Sequence, residues 1–294
     1  MRKAFLQLHI AVFLAGFTAI LGKLIGLGEG MLVWWRILLT VFVLAMWMAA
    51  TRQIERINRR AFFKIAGVGF IIAMHWIFFY GSIKYATISV ALVCFSATGF
   101  FTSILEPIIL KKRFSVVEIL LGALSIAGIY IIFDFHPQYK LGIAFGLLAA
   151  VGSALFPIFN KRLLLEHKPL TLTLYELSGG LLMLTLILPF YHQFFPARYY
   201  FPTTPDWFWL FILSVFCTVL LFVLQLHALK KISAFTSNLT FNLEPLYGIV
   251  LAFIFFDENK LLHKEFFIGV ALIVLAVVLQ MGLMWKGRAK SLSH

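Results

Sequence analysis

Ten apolar runs, separated by short connections, fill this chain almost from end to end, and no other property narrows its fold as much. They lie at roughly 4–22, 30–50, 61–81, 86–110, 115–133, 141–160, 169–190, 206–228, 233–256 and 264–285. About 20 mostly apolar residues cross the hydrocarbon core as a helix. Inside lipid every backbone polar group needs an internal partner, which leaves helices or closed barrels. The expectation is an all-α integral membrane protein with ten transmembrane helices. At 62% hydrophobic and 13% charged residues, the chain also departs from soluble domains, which run near 45–50% and 25%. The opening Met-Arg-Lys before an apolar run resembles a secretory leader, but with so many spans behind it a first membrane helix is expected. The longest connection, Tyr191 to Pro205, carries Pro196, Pro202 and Pro205 among aromatics and reads as an interfacial loop.

The net charge of +13 would point to nucleic acid in a soluble protein. Here the cations form short clusters between apolar runs, so no nucleic-acid partner is expected and the lipid bilayer is. On alternate connections, one side holds Arg2, Lys3, Arg52, Arg56, Arg59, Arg60, Lys64, Lys111, Lys112, Arg113, Lys161, Arg162, Lys168, Lys230, Lys231, Lys286, Arg288 and Lys290. The other holds only Lys23, Lys84, Lys140, Arg198, Lys260 and Lys264, and Arg36 falls inside a run. The positive-inside rule then places both termini in the cytoplasm of a multi-pass cytoplasmic (inner) membrane protein. Cys94 and Cys217 both lie in apolar runs, so neither a disulfide nor a cysteine metal site is expected.

The halves repeat. Tyr85-Ala86-Thr87-Ile88 aligns with Lys231-Ile232-Ser233-Ala234 at an offset that sets Gly99 on Pro245. With one residue inserted, Glu118 and Gly122 fall on Glu265 and Gly269. Trp35-Arg36 matches Tyr175-Glu176 near the start of each half. Five spans per half is an odd number, so the second half must be upside down. The expected architecture is two inverted five-helix repeats, residues 1–138 and 139–294. Inverted repeats of this kind enclose transport sites near the bilayer midplane.

These features resemble the EamA family of the drug/metabolite transporter superfamily. The resemblance rests on Leu243-Glu244-Pro245, on Glu258 in FFDENKL, and on the glycine-bearing run EFFIGVALIVLAVVL. The first half shows the same frame in GSIKYATISVAL and KKRFSVVEILLGALSIAGIYII, with Gly99 in place of the proline and Lys112 in place of the second acidic motif. The resemblance implies a cytoplasmic-membrane carrier that exports a metabolite, amino acid or drug-like solute by alternating access. It names no substrate.

Run 233–256 holds Glu244 near its middle, where a charge costs roughly 2.5–3.5 kcal/mol on insertion scales. Glu244 is therefore expected to face a wet cavity and to be placed to exchange a proton, the expected coupling ion. Pro245 is expected to loosen that helix from within. Asn238 and Asn242 share a face and stand for solute recognition or for interhelical hydrogen bonds. In the fourth run Ser96, Ser103 and Glu106 share a small, polar face, which fits either a pathway or close helix packing. His75, Trp76 and Tyr80 offer an aromatic cradle beside an imidazole; a packing histidine is the alternative. Arg36, between tryptophans, either snorkels outward or presents its fork to a solute carboxylate. Its counterpart Glu176, and Gln225 of the eighth run, complete the candidates. No HExxH, GxSxG, paired histidines or Walker-type loop is present, so neither an enzyme nor a cofactor, metal or direct ATP use is expected.

Overall fold

The computed structural model describes residues 2–111, 113–135, 137–229, 240–241 and 243–291. Within them the chain is helical: α1 (Arg2–Leu24), α2 (Glu29–Ala50), α3 (Arg59–Tyr85), α4 (Ile88–Phe95), α5 (Thr98–Leu110), α6 (Val116–Phe135), α7 (Lys140–Leu163), α8 (Pro169–Phe194), α9 (Thr204–Ser214), α10 (Leu221–Leu229), α11 (Glu244–Phe256) and α12 (Lys264–Ser291). Seven helical stretches among the described residues are long and apolar enough to span a membrane, and those at Val116–Ile131 and Glu244–Phe256 are shorter.

Two expected continuous helices are interrupted. The fourth run breaks at Ser96–Ala97, between α4 and α5. Here Ser96 and Thr98 hydroxyls donate back to the carbonyls of Val93 and Phe95, local bonds that compete with a straight helix. The ninth run is expected to form one helix around a mid-span proline. Instead Pro245 occupies the first turn of α11, where its missing N–H costs nothing. A third irregularity is a π-helical segment, Val215–Leu220, between α9 and α10. Its Thr218 hydroxyl donates to the Leu213 carbonyl at 2.9 Å.

The breaks make the repeat visible. Each of α5 and α11 is 13 residues long, preceded by a right-handed cap at Ala97 or Leu243. Each ends on a left-handed residue, Lys111 (φ 53°) or Asp257 (φ 51°). Both pairs of caps keep the register that sets Gly99 on Pro245. The two ends nevertheless point apart. Glu258, just past Asp257, touches the start of α4, whereas Lys111 closes the far end of the Ile88–Leu110 stretch. Equivalent turns thus sit at opposite ends of the bundle, the placement that inverted halves require.

Each half reaches into the other. Helix α1 packs on α10 and α11, α7 packs on α3, α4 and α5, α2 and α3 lie on α8, and α6 lies on α12. Lipid supplies no hydrophobic drive between helices, so close contact depends on small residues. A Cβ on Gly69 would overlap the Glu176 carbonyl oxygen, and one on Gly179 would overlap Ala66. Gly16 lies 3.1 Å from the Glu244 carbonyl by the same measure.

One end of the bundle is tied by buried polar groups. Asp206 caps α9 and accepts from the Gly26 N–H at 2.7 Å and the Tyr199 hydroxyl at 2.8 Å. Burial, then the bond to Asp206, pushes the Tyr199 phenol up to about 12. Lys84 donates to the Ile25 carbonyl at 2.9 Å, and Glu29 accepts from Tyr191 at 2.6 Å. Glu258, 2% exposed, accepts from the Ile88 and Ser89 N–H groups at 2.9 and 2.8 Å and from the Ser89 hydroxyl at 2.7 Å. It is a helix cap supplied by the opposite half. Glu258→Ala is expected to leave those donors buried without acceptors, at about 2–4 kcal/mol. The thermal midpoint of the purified protein should fall by several degrees, with Glu258→Gln intermediate. An unchanged midpoint in both would show that the cap contributes nothing.

Candidate functional site

The interrupted helices frame one large cavity of about 670 Å³. Its walls include Ser96, Thr98 and Gly99 at the first break, Leu243, Glu244 and Pro245 at the second, and Cys217 of the π segment. Nine of the twelve sequence candidates line it: Arg36, His75, Trp76, Ser96, Ser103, Glu106, Glu176, Gln225 and Glu244. Tyr80 stands just behind the wall, fully buried and bonded to Arg36. Asn238 and Asn242 lie outside the described residues.

The inner end is built around Arg36, seven residues into α2 and thus about 10 Å from the tied end at 1.5 Å per residue. It does not snorkel. Only 4% exposed, its guanidinium lies over the Trp76 ring at 3.8 Å. It donates to the Tyr80 hydroxyl at 2.7 Å and, through Nε and Nη2, to Thr218 Oγ1 at 3.2 and 3.1 Å. The tryptophans expected to guide it outward are engaged elsewhere: Trp34 donates to Thr185 and Trp35 to the Tyr200 carbonyl. All of Arg36's bonded partners are neutral, and it forms no ion pair with a described residue. The π segment is what brings Thr218 under the guanidinium.

Next toward the middle comes His75, whose Nδ1 lies 2.7 Å from the Ala149 carbonyl. Its ring forms a three-ring cluster with Phe79 and Phe95, with centroids at 6.3 and 5.5 Å from its own and 5.5 Å from each other. The histidine is thus both satisfied in packing and part of the cavity wall. Glu244 opens α11 at this level, within electrostatic reach of Arg36. Because the helix starts at Glu244 itself, the carboxylate is presented from a break rather than from a continuous helical face.

Glu176 sits seven residues into α8, which starts at the other end, and so lies at the opposite depth to Arg36, as their aligned positions implied. It shares a hydrogen bond with Asn160, while its Oε1 has no protein partner. Ser103 donates to the Phe100 carbonyl at 2.7 Å, so its hydroxyl is satisfied within α5 although it faces the cavity. Glu106 and Gln225 lie toward the outer end, together with exposed Glu118 in the first turn of α6.

Sequence reasoning overlooked part of the site. Cys217 of the wall, and Thr218 and Asn160, which bond the wall residues Arg36 and Glu176, carry no pattern that separates them from ordinary span residues. Glu118 was legible only as a repeat marker. One signal was available and unused: Leu105-Glu106-Pro107 repeats Leu243-Glu244-Pro245 letter for letter. The structure shows that the two tripeptides are not equivalent. Glu106 lies eight residues beyond the first break, with Pro107 inside α5, whereas Glu244 begins its helix.

Two structural repeats around a shared cavity of broken membrane helices define a multi-pass transporter fold. The family model described as the EamA-like transporter family matches residues 2–134 and again 140–282. The chain belongs to that family, within the drug/metabolite transporter superfamily. A solved structure titled only "Crystal structure of protein" superposes with a TM-score of 0.62. That match covers 94% of this chain and 96% of the other at 14% identity, a likeness of fold alone. No curated protein sequence matches.

Proposed function

We propose that the chain is a secondary carrier that exports a small metabolite, amino acid or drug-like solute across the cytoplasmic membrane by alternating access. It spans the bilayer ten times, with both termini in the cytoplasm and the halves dividing near residue 138. The observation that carries this reading is the cavity at two repeat-equivalent helix breaks, with a carboxylate at one of them. Broken helices are tolerated at membrane depth where they line a cavity. The tied end faces outward in this orientation, and the cavity's outer end, at Glu106 and Glu118, faces the cytoplasm. Glu244 exchanges the coupling proton, Arg36 anchors an anionic group of the solute, and His75, Trp76 and Phe95 form the apolar wall. Asn238 and Asn242 contribute polar contacts to the solute.

The test begins with the growth medium of cells that carry the gene and cells that lack it, which identifies the exported solute. That solute, labelled and sealed in vesicles with purified protein, should leave saturably and faster than from protein-free vesicles. Equal rates with and without protein would overturn the reading.

A further inference from the structure

We propose that a second pocket, which shares no lining residue with the large cavity, holds the phosphate of an anionic phospholipid. It has a volume of about 270 Å³ and lies between the start of α3 and the end of α7, on a seam between the halves. The proposal rests on the chain being membrane-embedded and not on what it transports.

The connection before α3 and the first turns of that helix carry the densest basic cluster of the chain, Arg52, Arg56, Arg59, Arg60 and Lys64. The connection's one acid, Glu55, is paired with Lys168 at the start of α8, and Tyr175 donates to the Glu55 carbonyl at 3.0 Å. The connection is thereby pinned, and its only carboxylate is neutralised. Arg60 and Lys64, one helical turn apart, both line the pocket, and neither forms an ion pair with a described residue. Glu166 also lines it and leaves a net positive charge. The pocket lies over the N-terminal end of α3, whose dipole favours an anion. On the α7 side His167 lines the pocket, and its Nε2 is buried without a hydrogen-bond partner. One oxygen-rich anion in the pocket would lie between both cations.

The surroundings select a lipid over a soluble phosphate. Phe63 is 69% exposed, and Leu164 and Leu165 are 47% and 86% exposed, next in sequence to the pocket residues. Large apolar side chains beside a basic pocket at the end of a spanning helix fit acyl chains. Basic pockets between membrane helices recognise anionic headgroups in this way.

The experiment uses the full chain in detergent, offered equal amounts of dioleoylphosphatidylglycerol and dioleoylphosphatidylcholine, with bound lipid read by native mass spectrometry. The wild type should retain phosphatidylglycerol preferentially. At about fivefold per cation, Arg60→Gln with Lys64→Gln should lower that preference roughly thirtyfold. Each single change should lower it about fivefold, and Arg198→Gln with Lys260→Gln, at the other end, should leave it unchanged. A preference that survives in the double variant overturns the site. Displacement of the lipid by glycerol 3-phosphate or inorganic phosphate at equal concentration overturns the lipid assignment in favour of a soluble phosphate.

Discussion

Vesicles carrying Glu244→Gln are expected to lose gradient-driven solute movement down to the level of protein-free vesicles. Glutamine keeps the shape and the hydrogen-bonding reach of the side chain but cannot release a proton. The first turn of α11 needs only Pro245 in place, so the protein should be made and should fold normally. Exchange of solute across the membrane without a gradient separates two roles. If Glu244 serves coupling alone, exchange persists in the glutamine variant. If it also binds solute, exchange disappears with net transport. Wild-type net transport in this variant would remove Glu244 from the mechanism.

The largest structural effect is expected at Gly69. A Cβ there would occupy the space of the Glu176 carbonyl, and on the other side of the crossing a Cβ on Gly180 would lie 2.5 Å from the Gly69 carbonyl oxygen. Backbone meets backbone, so no side-chain rotation relieves the clash, and α3 and α8 must separate. Overpacking of a formed core costs about 1–3 kcal/mol even where side chains yield, and here they cannot. Gly69→Val should therefore deplete the folded protein from the membrane fraction or lower its thermal midpoint severely. Gly67→Val, two residues away on the same helix, meets nothing within 4 Å and should behave as wild type. Equal stability of the two variants would show that the helices do not cross as closely as described.

Much of the fold was legible because lipid leaves few options. Long apolar runs must be helices, clustered cations mark connections, and the spacing of Gly99 to Pro245 already held the register that the caps at Lys111 and Asp257 obey. Interruptions were not legible. Hydropathy averages over a run and does not register a two-residue break at Ser96–Ala97 or a π turn at Val215–Leu220. The proline of α11 gave a signal, but it was assigned to a kink instead of a helix start. For the site, ionisable residues in apolar runs were a sound guide, since burying them in lipid is costly. Arg36 shows where that guide ends. Its tryptophan neighbours suggested an outward path, and only the Thr218 and Tyr80 hydroxyls, far away in sequence, decide that it points inward.

Glu258 has a wider consequence. In the register of the repeat its counterpart is Lys112, and an ammonium group has no lone pair to offer helical N–H groups. In sequence, therefore, the repeat places no carboxylate at the position that matches the clamp. A machine assembled from two similar pieces need not rest midway between its extremes. Each 1.4 kcal/mol contributed by a lone fastening multiplies the ratio of two states tenfold, so in a carrier that works as proposed Glu258 would weight the empty protein toward the state in which its own face is fastened.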